Sequence, residues 1–303
     1  MARKKLKAVH QMSIREFERM FPDEDACCAY LVGRRWPKGV RCPRCGAENP
    51  TELKGNPWHW QCYECAPKTS YRFSHIAGTI FENTNKPLRD WFRLIHLILT
   101  AKKGISARQL WRYMGFGSLK TAWYMAHRVR AALIEKDMDK LGGIVEVDET
   151  YVGGKDKNRH DDKQGGIRGR GASGKTPVVG AVRRKGNVVA RVVANTTTAT
   201  LEAFIRETVS TKVSLLCTDH YSSYRRLGRK YPHAIIDHKA GDHVVGAIHT
   251  NTIEGFWSIF KRGIVGSFHK ISRKYMPLYV AEFQFRYNNR ENADIFGTVI
   301  AGC

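Results

Sequence analysis

The chain has 303 residues, 42% of them hydrophobic, which is enough for two or three compact units with a sizeable core. Lysine and arginine number 51 against 28 acidic residues, and the resulting +23 runs through the whole chain, so the expected partner is a polyanion, with nucleic acid first. The longest apolar stretch, near Leu94 to Ala101, is interrupted by His96 and too short for a bilayer. No apolar run and cleavage site follow the basic opening, so an intracellular (cytoplasmic, nucleoid-associated) protein without a membrane partner is expected, its cysteines reduced.

After an N-terminal helical segment (1–35), residues 36–80 carry the pairs "CPRC" (Cys42, Cys45) and "CYEC" (Cys62, Cys65), at a spacing within the roughly 15–20 residues of a zinc ribbon. Two CxxC knuckles supply the four thiolates of a closed tetrahedral site, so one structural Zn²⁺ is expected. Cys27, Cys28, Cys217 and Cys303 lack partners at ligand spacing and read as core or terminal residues. "NPWHWQC" reads as a strand into the second knuckle. Its Trp58 and Trp60 either pack the ribbon, the favoured role, or stack on bases.

Residues 81–140 read as helical. "PLRDWFRLIHLILTAKKG" starts on Pro87 and stops at Gly104, "ISARQLWRYMG" is capped by Ser106 and ended by Gly115, and "SLKTAWYMAHRVRAALIEK" is capped by Ser118. Two helices around a glycine turn suggest helix-turn-helix, with Lys120, His127, Arg128 and Arg130 facing DNA; a helical linker with a solvated basic face is the plainer alternative.

From 141 to 303 the pattern changes. "IVEVDETYVGG" alternates as a strand, "PVVGAVRRKGNVVARVVANT" reads as a hairpin and "TLEAFIRETV" as a helix. "VSLLCTDHYSSY" and "HAIIDH" are further strands, and "NTIEGFWSIFKRG" is a helix. This is the element order of an RNase H-like core. "GRGASGKT" (Gly169 to Thr176) matches the phosphate-loop pattern, but polar, glycine-rich sequence precedes it and β-type sequence follows, so no nucleotide cofactor is expected. The stretch reads instead as a basic loop whose Arg168, Arg170 and Lys175 close over DNA phosphates.

Asp148 falls in the first strand, Asp219 ends the apolar run of the fourth, and Glu254 opens the last helix. Taken alone, Glu254 only complements a helix dipole. Taken together, from "CPRC" through "VDETYVGGK" and "TDHYSSY" to "HTNTIEGFWSIFKRG", the chain resembles bacterial insertion-sequence transposases of the DDE class, in the subgroup with an N-terminal zinc ribbon. The resemblance implies a multidomain α+β protein with a zinc ribbon, a helix-turn-helix-like region and an RNase H-like core with a mixed sheet. It also implies that Asp148, Asp219 and Glu254 hold two Mg²⁺ or Mn²⁺ ions for in-line phosphoryl displacement on double-stranded DNA.

Lys261, two helical turns past Glu254, is placed to hold a phosphate beside them. Strand alternation leaves Glu149 outside the ligand set. Joining two element ends implies a homodimer or larger assembly. Two other functions fit less of the sequence: a DNA-binding regulator with an inactive core, and a nuclease that cuts without joining.

Overall fold

The computed structural model describes residues 12–136, 138–153, 174–224, 226–236 and 249–303. They form two compact units, one of residues 1–133 with 290–303 and one of residues 134–289.

In the first unit, α1 (Ile14–Met20) opens on a capping box in which Ser13 and Glu16 exchange hydrogen bonds, and α2 (Glu24–Arg35) is capped by Asp23. The ribbon follows as an antiparallel sheet of β1 (Thr51–Glu52), β2 (His59–Cys62) and β3 (Tyr71–Ser74). Trp60 is buried, stacked on Phe73 with ring centroids 6.0 Å apart, and Trp58 donates from Nε1 to Asp25 at 3.2 Å, so both tryptophans pack the fold.

Helices α3 (Leu88–Thr100), α4 (Ala107–Met114) and α5 (Leu119–Ala132) pack on one another. Ser106 and Ser118 cap α4 and α5 from their side chains, and Gly115 ends α4 at φ 64°, a left-handed turn that favours glycine.

The C-terminal helix α9 (Ile295–Gly302) belongs to this unit, not to the RNase H-like block that the sequence pattern extends from 141 to 303. Phe296 explains why: its ring lies 5.4 Å from Phe21 and 5.5 Å from Phe92 within one aromatic core.

The second unit is built on a five-stranded mixed sheet in the order β6-β5-β4-β7-β8. Strands β4 (Ile144–Val152), β5 (Thr176–Arg183) and β6 (Val188–Val192) form an antiparallel meander. Strands β7 (Leu215–Asp219) and β8 (His233–Ile236) continue it in parallel after helix α6 (Thr198–Thr208).

Alternation along the strands builds two cores. Val145, Val147, Val179 and Ala181 meet Leu201, Phe204 and Ile205 of α6 on one face. Val178, Val182 and Val188 meet Ile253, Phe256, Trp257 and Phe260 of α7 (Asn251–Gly263) on the other. A π-helical stretch, Ile264–Phe268, prolongs α7, and α8 (Met276–Asn288) follows. On the edge strand β6, Val188 N and Ala190 N donate to Asn288 Oδ1 and Gln284 Oε1, so α8 occupies backbone groups that would otherwise be open to pairing.

One glycine sets the spacing that matters for the site. A Cβ on Gly180 would lie 2.7 Å from the Trp257 ring, so α7 rests directly on the sheet there. Gly180 is the antiparallel partner of Asp148, whose side chain therefore shares the face covered by α7.

Candidate active site and metal centres

The parallel ladder between β4 and β7 ends at the pair Val147 and Thr218, so the next residue on each strand is an aspartate: Asp148 and Asp219. The site thus lies where the parallel pairing of β4 with β7 stops, at the carboxyl end of β7 and midway along β4. Oxygens of Asp148, Glu149 and Asp219 come within 4.8 Å of one another. Alternation does turn Glu149 toward the α6 face, but it sits at the end of the ladder, where its carboxylate still reaches the group. It accepts a hydrogen bond from the buried Tyr224 hydroxyl at 2.8 Å.

Glu254 stands apart from this trio, exposed in the first turn of α7, with Oε1 accepting from the Thr250 hydroxyl at 2.7 Å. Its charge still acts on Asp148. Lys261 is exposed further along α7. Three converging carboxylates are a hard-oxygen donor set, which suits a divalent ion such as Mg²⁺ or Mn²⁺.

The ribbon presents the opposite chemistry. The Sγ atoms of Cys42 and Cys65 are 3.9 Å apart and those of Cys45 and Cys62 3.6 Å apart. Tetrahedral zinc with ~2.3 Å bonds to sulfur needs about 3.8 Å between ligands. All four sulfurs converge within 4.8 Å, so the residues fit a structural zinc.

Known proteins point the same way. The ISXO2-like transposase domain matches residues 140–288, and a transposase zinc-ribbon domain matches residues 22–68. A protein described as "Uncharacterized protein in transposable element ISH50", from Halobacterium salinarum, is 30% identical over 279 residues, which are 88% of this chain and 91% of that protein. The chain belongs to the insertion-sequence transposases of the DDE class that carry an N-terminal zinc ribbon.

Among solved structures, a chain in the cryo-EM structure of a simian T-cell lymphotropic virus intasome with the PP2A regulatory subunit B56 gamma is 14% identical, over 64% of this chain and 65% of that one. Its TM-score is 0.27.

Electrostatics in the transposase site follow from the crowding. Burial, then Glu149, Asp219 and Glu254, push the Asp148 carboxyl up to about 8. Burial pushes Glu149 up to about 7, the Tyr224 hydrogen bond opposing it. Both folded values exceed the unfolded ones, so the folded state binds more protons, and its stability falls as pH rises from about 4 through 8.

Asp148→Asn removes the largest of these penalties. In metal-free buffer at pH 8.5 the variant should be more stable than the wild type by about 2 kcal/mol, a thermal midpoint roughly 4–8 °C higher, and the gap should be much smaller at pH 5. Equal midpoints at both pH values would contradict the crowded-carboxylate account.

The basic residues divide. Lys120 is exposed at the start of α5. Arg128 is half-buried, donating to Glu82 O at 3.2 Å and lying over the Trp91 and Tyr124 rings. Arg130 corrects an expectation: it is 0% exposed and donates to Ile105 O at 3.3 Å, so it is a core residue and not a DNA contact. His127 is buried as well. Both follow the stripe of Ala122, Met125, Ala126 and Val129 that α5 turns inward, a phase the helical periodicity could have revealed.

Exposed Arg108, Arg112 and Tyr113 on α4 were not singled out from sequence. Arg168 and Arg170 lie outside the described residues, and Lys175 is half-exposed beside β5. Thr176 begins β5, so the phosphate-loop pattern runs into a strand and not into the helix whose N-terminus would face a phosphate. Among the described residues, no helix is long and apolar enough to cross a membrane.

Proposed function

We propose that this transposase binds the terminal inverted repeats of its element in the cytoplasm, cleaves DNA strands there and transfers the freed 3′ ends to target DNA. The observation that carries the reading is the meeting of Asp148 and Asp219 at the end of the β4–β7 ladder, with Glu254 on the helix laid over the same face.

In this reading Asp148, Asp219 and Glu254 hold two Mg²⁺ or Mn²⁺ ions, while Glu149 adds a carboxylate steadied by Tyr224. Such ions polarise phosphoryl oxygens and make water or a hydroxyl a better nucleophile. The carboxylates fix the place of reaction and Lys261 holds a phosphate beside it. Water first attacks the phosphodiester, breaking the bond to the 3′ oxygen and leaving a 3′-hydroxyl. That hydroxyl then attacks a target phosphodiester at the same residues, forming one new phosphodiester as the target's bond to its own 3′ oxygen breaks and that oxygen leaves as a hydroxyl, so no nucleotide fuel is needed. The α4–turn–α5 region, through Arg108, Arg112 and Lys120, and the basic residues Arg168, Arg170 and Lys175 contact the DNA backbone, and two copies or more bring two ends together.

Duplex carrying the element ends, incubated with the protein and Mg²⁺ and mapped on a sequencing gel, tests this. Nicks at the element boundary and end-to-target joints are expected. Binding without cutting would make the protein a regulator, and cutting without joining a nuclease.

A further inference from the structure

Glu146 lies two residues before Asp148 on the same face of β4, yet its carboxylate is 0% exposed and fully engaged. Oε1 accepts from Arg184 Nε at 2.6 Å and from the Thr252 hydroxyl at 2.9 Å, with His249 Nδ1 3.2 Å away. Oε2 accepts from the backbone N–H groups of Thr252 at 2.8 Å and Ile253 at 3.0 Å. Arg184 also donates from Nη2 to His249 O at 2.9 Å.

We propose that Glu146 is a positioning residue for the catalytic carboxylates: it fixes the start of α7 on the sheet, and so fixes where Glu254 stands relative to Asp148. The inference rests on the reading of Glu254 as a metal-holding residue.

Three features support it. Thr250, at the N-cap, makes no side-chain cap of α7, so the helix takes its capping anion from β4 instead. The anchored groups, on Thr252 and Ile253, directly precede Glu254, so any displacement of the helix start passes to Glu254 with little attenuation. Both Glu146 oxygens are occupied by protein donors, which separates this carboxylate from the metal-holding group even though it shares a face of β4 with Asp148. Arg184 offsets the cost of burying the charge, and removal of either partner leaves the other buried and uncompensated.

Glu146→Gln keeps the shape but turns an amide N–H₂ toward groups that are themselves donors. Single-turnover cleavage at saturating DNA should be compared among wild type, Glu146→Gln, Glu254→Gln and the double variant, below their melting temperatures, with Mn²⁺ affinity followed by EPR.

Glu146→Gln should cleave about 10- to 100-fold more slowly with DNA affinity unchanged, and it should add nothing to the loss in the Glu254→Gln background. Wild-type cleavage by Glu146→Gln, or losses that multiply in the double variant, would overturn the proposal while leaving Glu254 in place. Wild-type cleavage by Glu254→Gln would remove the reading beneath it as well. If Glu146→Gln fails to fold, Thr252→Val deletes only the hydroxyl donor. A loss of about 3- to 10-fold is then expected, and an unchanged rate overturns the proposal.

Discussion

Asp219→Asn should lower strand cleavage by on the order of 10³-fold while leaving the affinity for element ends within about twofold. The residue sits at the end of β7 beside Asp148, so the substitution changes charge and not backbone. Asparagine keeps one carbonyl oxygen but loses the negative charge that makes a carboxylate a strong ligand for a hard cation. Folding should survive, because neutralising one member of a crowded acidic group relieves repulsion. Rates from a single-turnover assay, taken beside binding isotherms, separate these effects. Parallel loss of binding and cleavage would mean that Asp219 supports the fold and not the chemistry.

The second large effect concerns zinc. Cys62→Ser should abolish stoichiometric zinc and unfold the ribbon, because the apolar core there is small: Trp60, Phe73 and Ala77 beside Cys42 and Cys62. Structural zinc contributes about 10–16 kcal/mol of apparent binding energy in comparable small sites, and that energy is folding energy. Trp60, now buried against Phe73, should become exposed, with a red shift in tryptophan emission. The 134–289 unit, which has its own two cores, should keep its melting transition. Zinc content equal to wild type would remove the four-thiolate site from the account.

Much of this architecture is legible in the residues themselves. The CxxC pairs specify their metal because few other roles require thiols at that spacing. The caps Ser106 and Ser118 and the stop at Gly115 mark helix ends by local hydrogen bonding and backbone conformation, which need no tertiary context. Strand alternation in "IVEVDETYV" likewise shows which side chains share a face with Asp148.

Long-range packing hid the rest. Helix α8 buries Tyr279, Val280, Glu282, Phe283, Gln284, Phe285 and Arg286, so it has no single apolar stripe to announce it. Helix α9, "IFGTVIAG", is short and apolar on all sides, a pattern shared by helices and buried strands, and nothing local says that Phe296 joins the N-terminal aromatic core. Arg130 looks like a DNA contact because its charge is read before its phase. Glu149 and Glu146 needed the fold, since strand alternation says which face a carboxylate takes but not whether it meets metal-holding neighbours or a helix start.

Glu254 is the member of the proposed triad that stands outside the three-carboxylate group, so it bears the weight of the account. The most direct measurement is the single-turnover cleavage rate of Glu254→Gln at DNA occupancy equal to wild type. The account predicts a fall on the order of 10²–10³-fold with a change in stability of only a few tenths of a kcal/mol, since the amide keeps an oxygen to accept from Thr250. Cleavage at the wild-type rate would contradict it, leaving Glu254 as a surface charge that complements the α7 dipole and the chemistry to Asp148, Glu149 and Asp219.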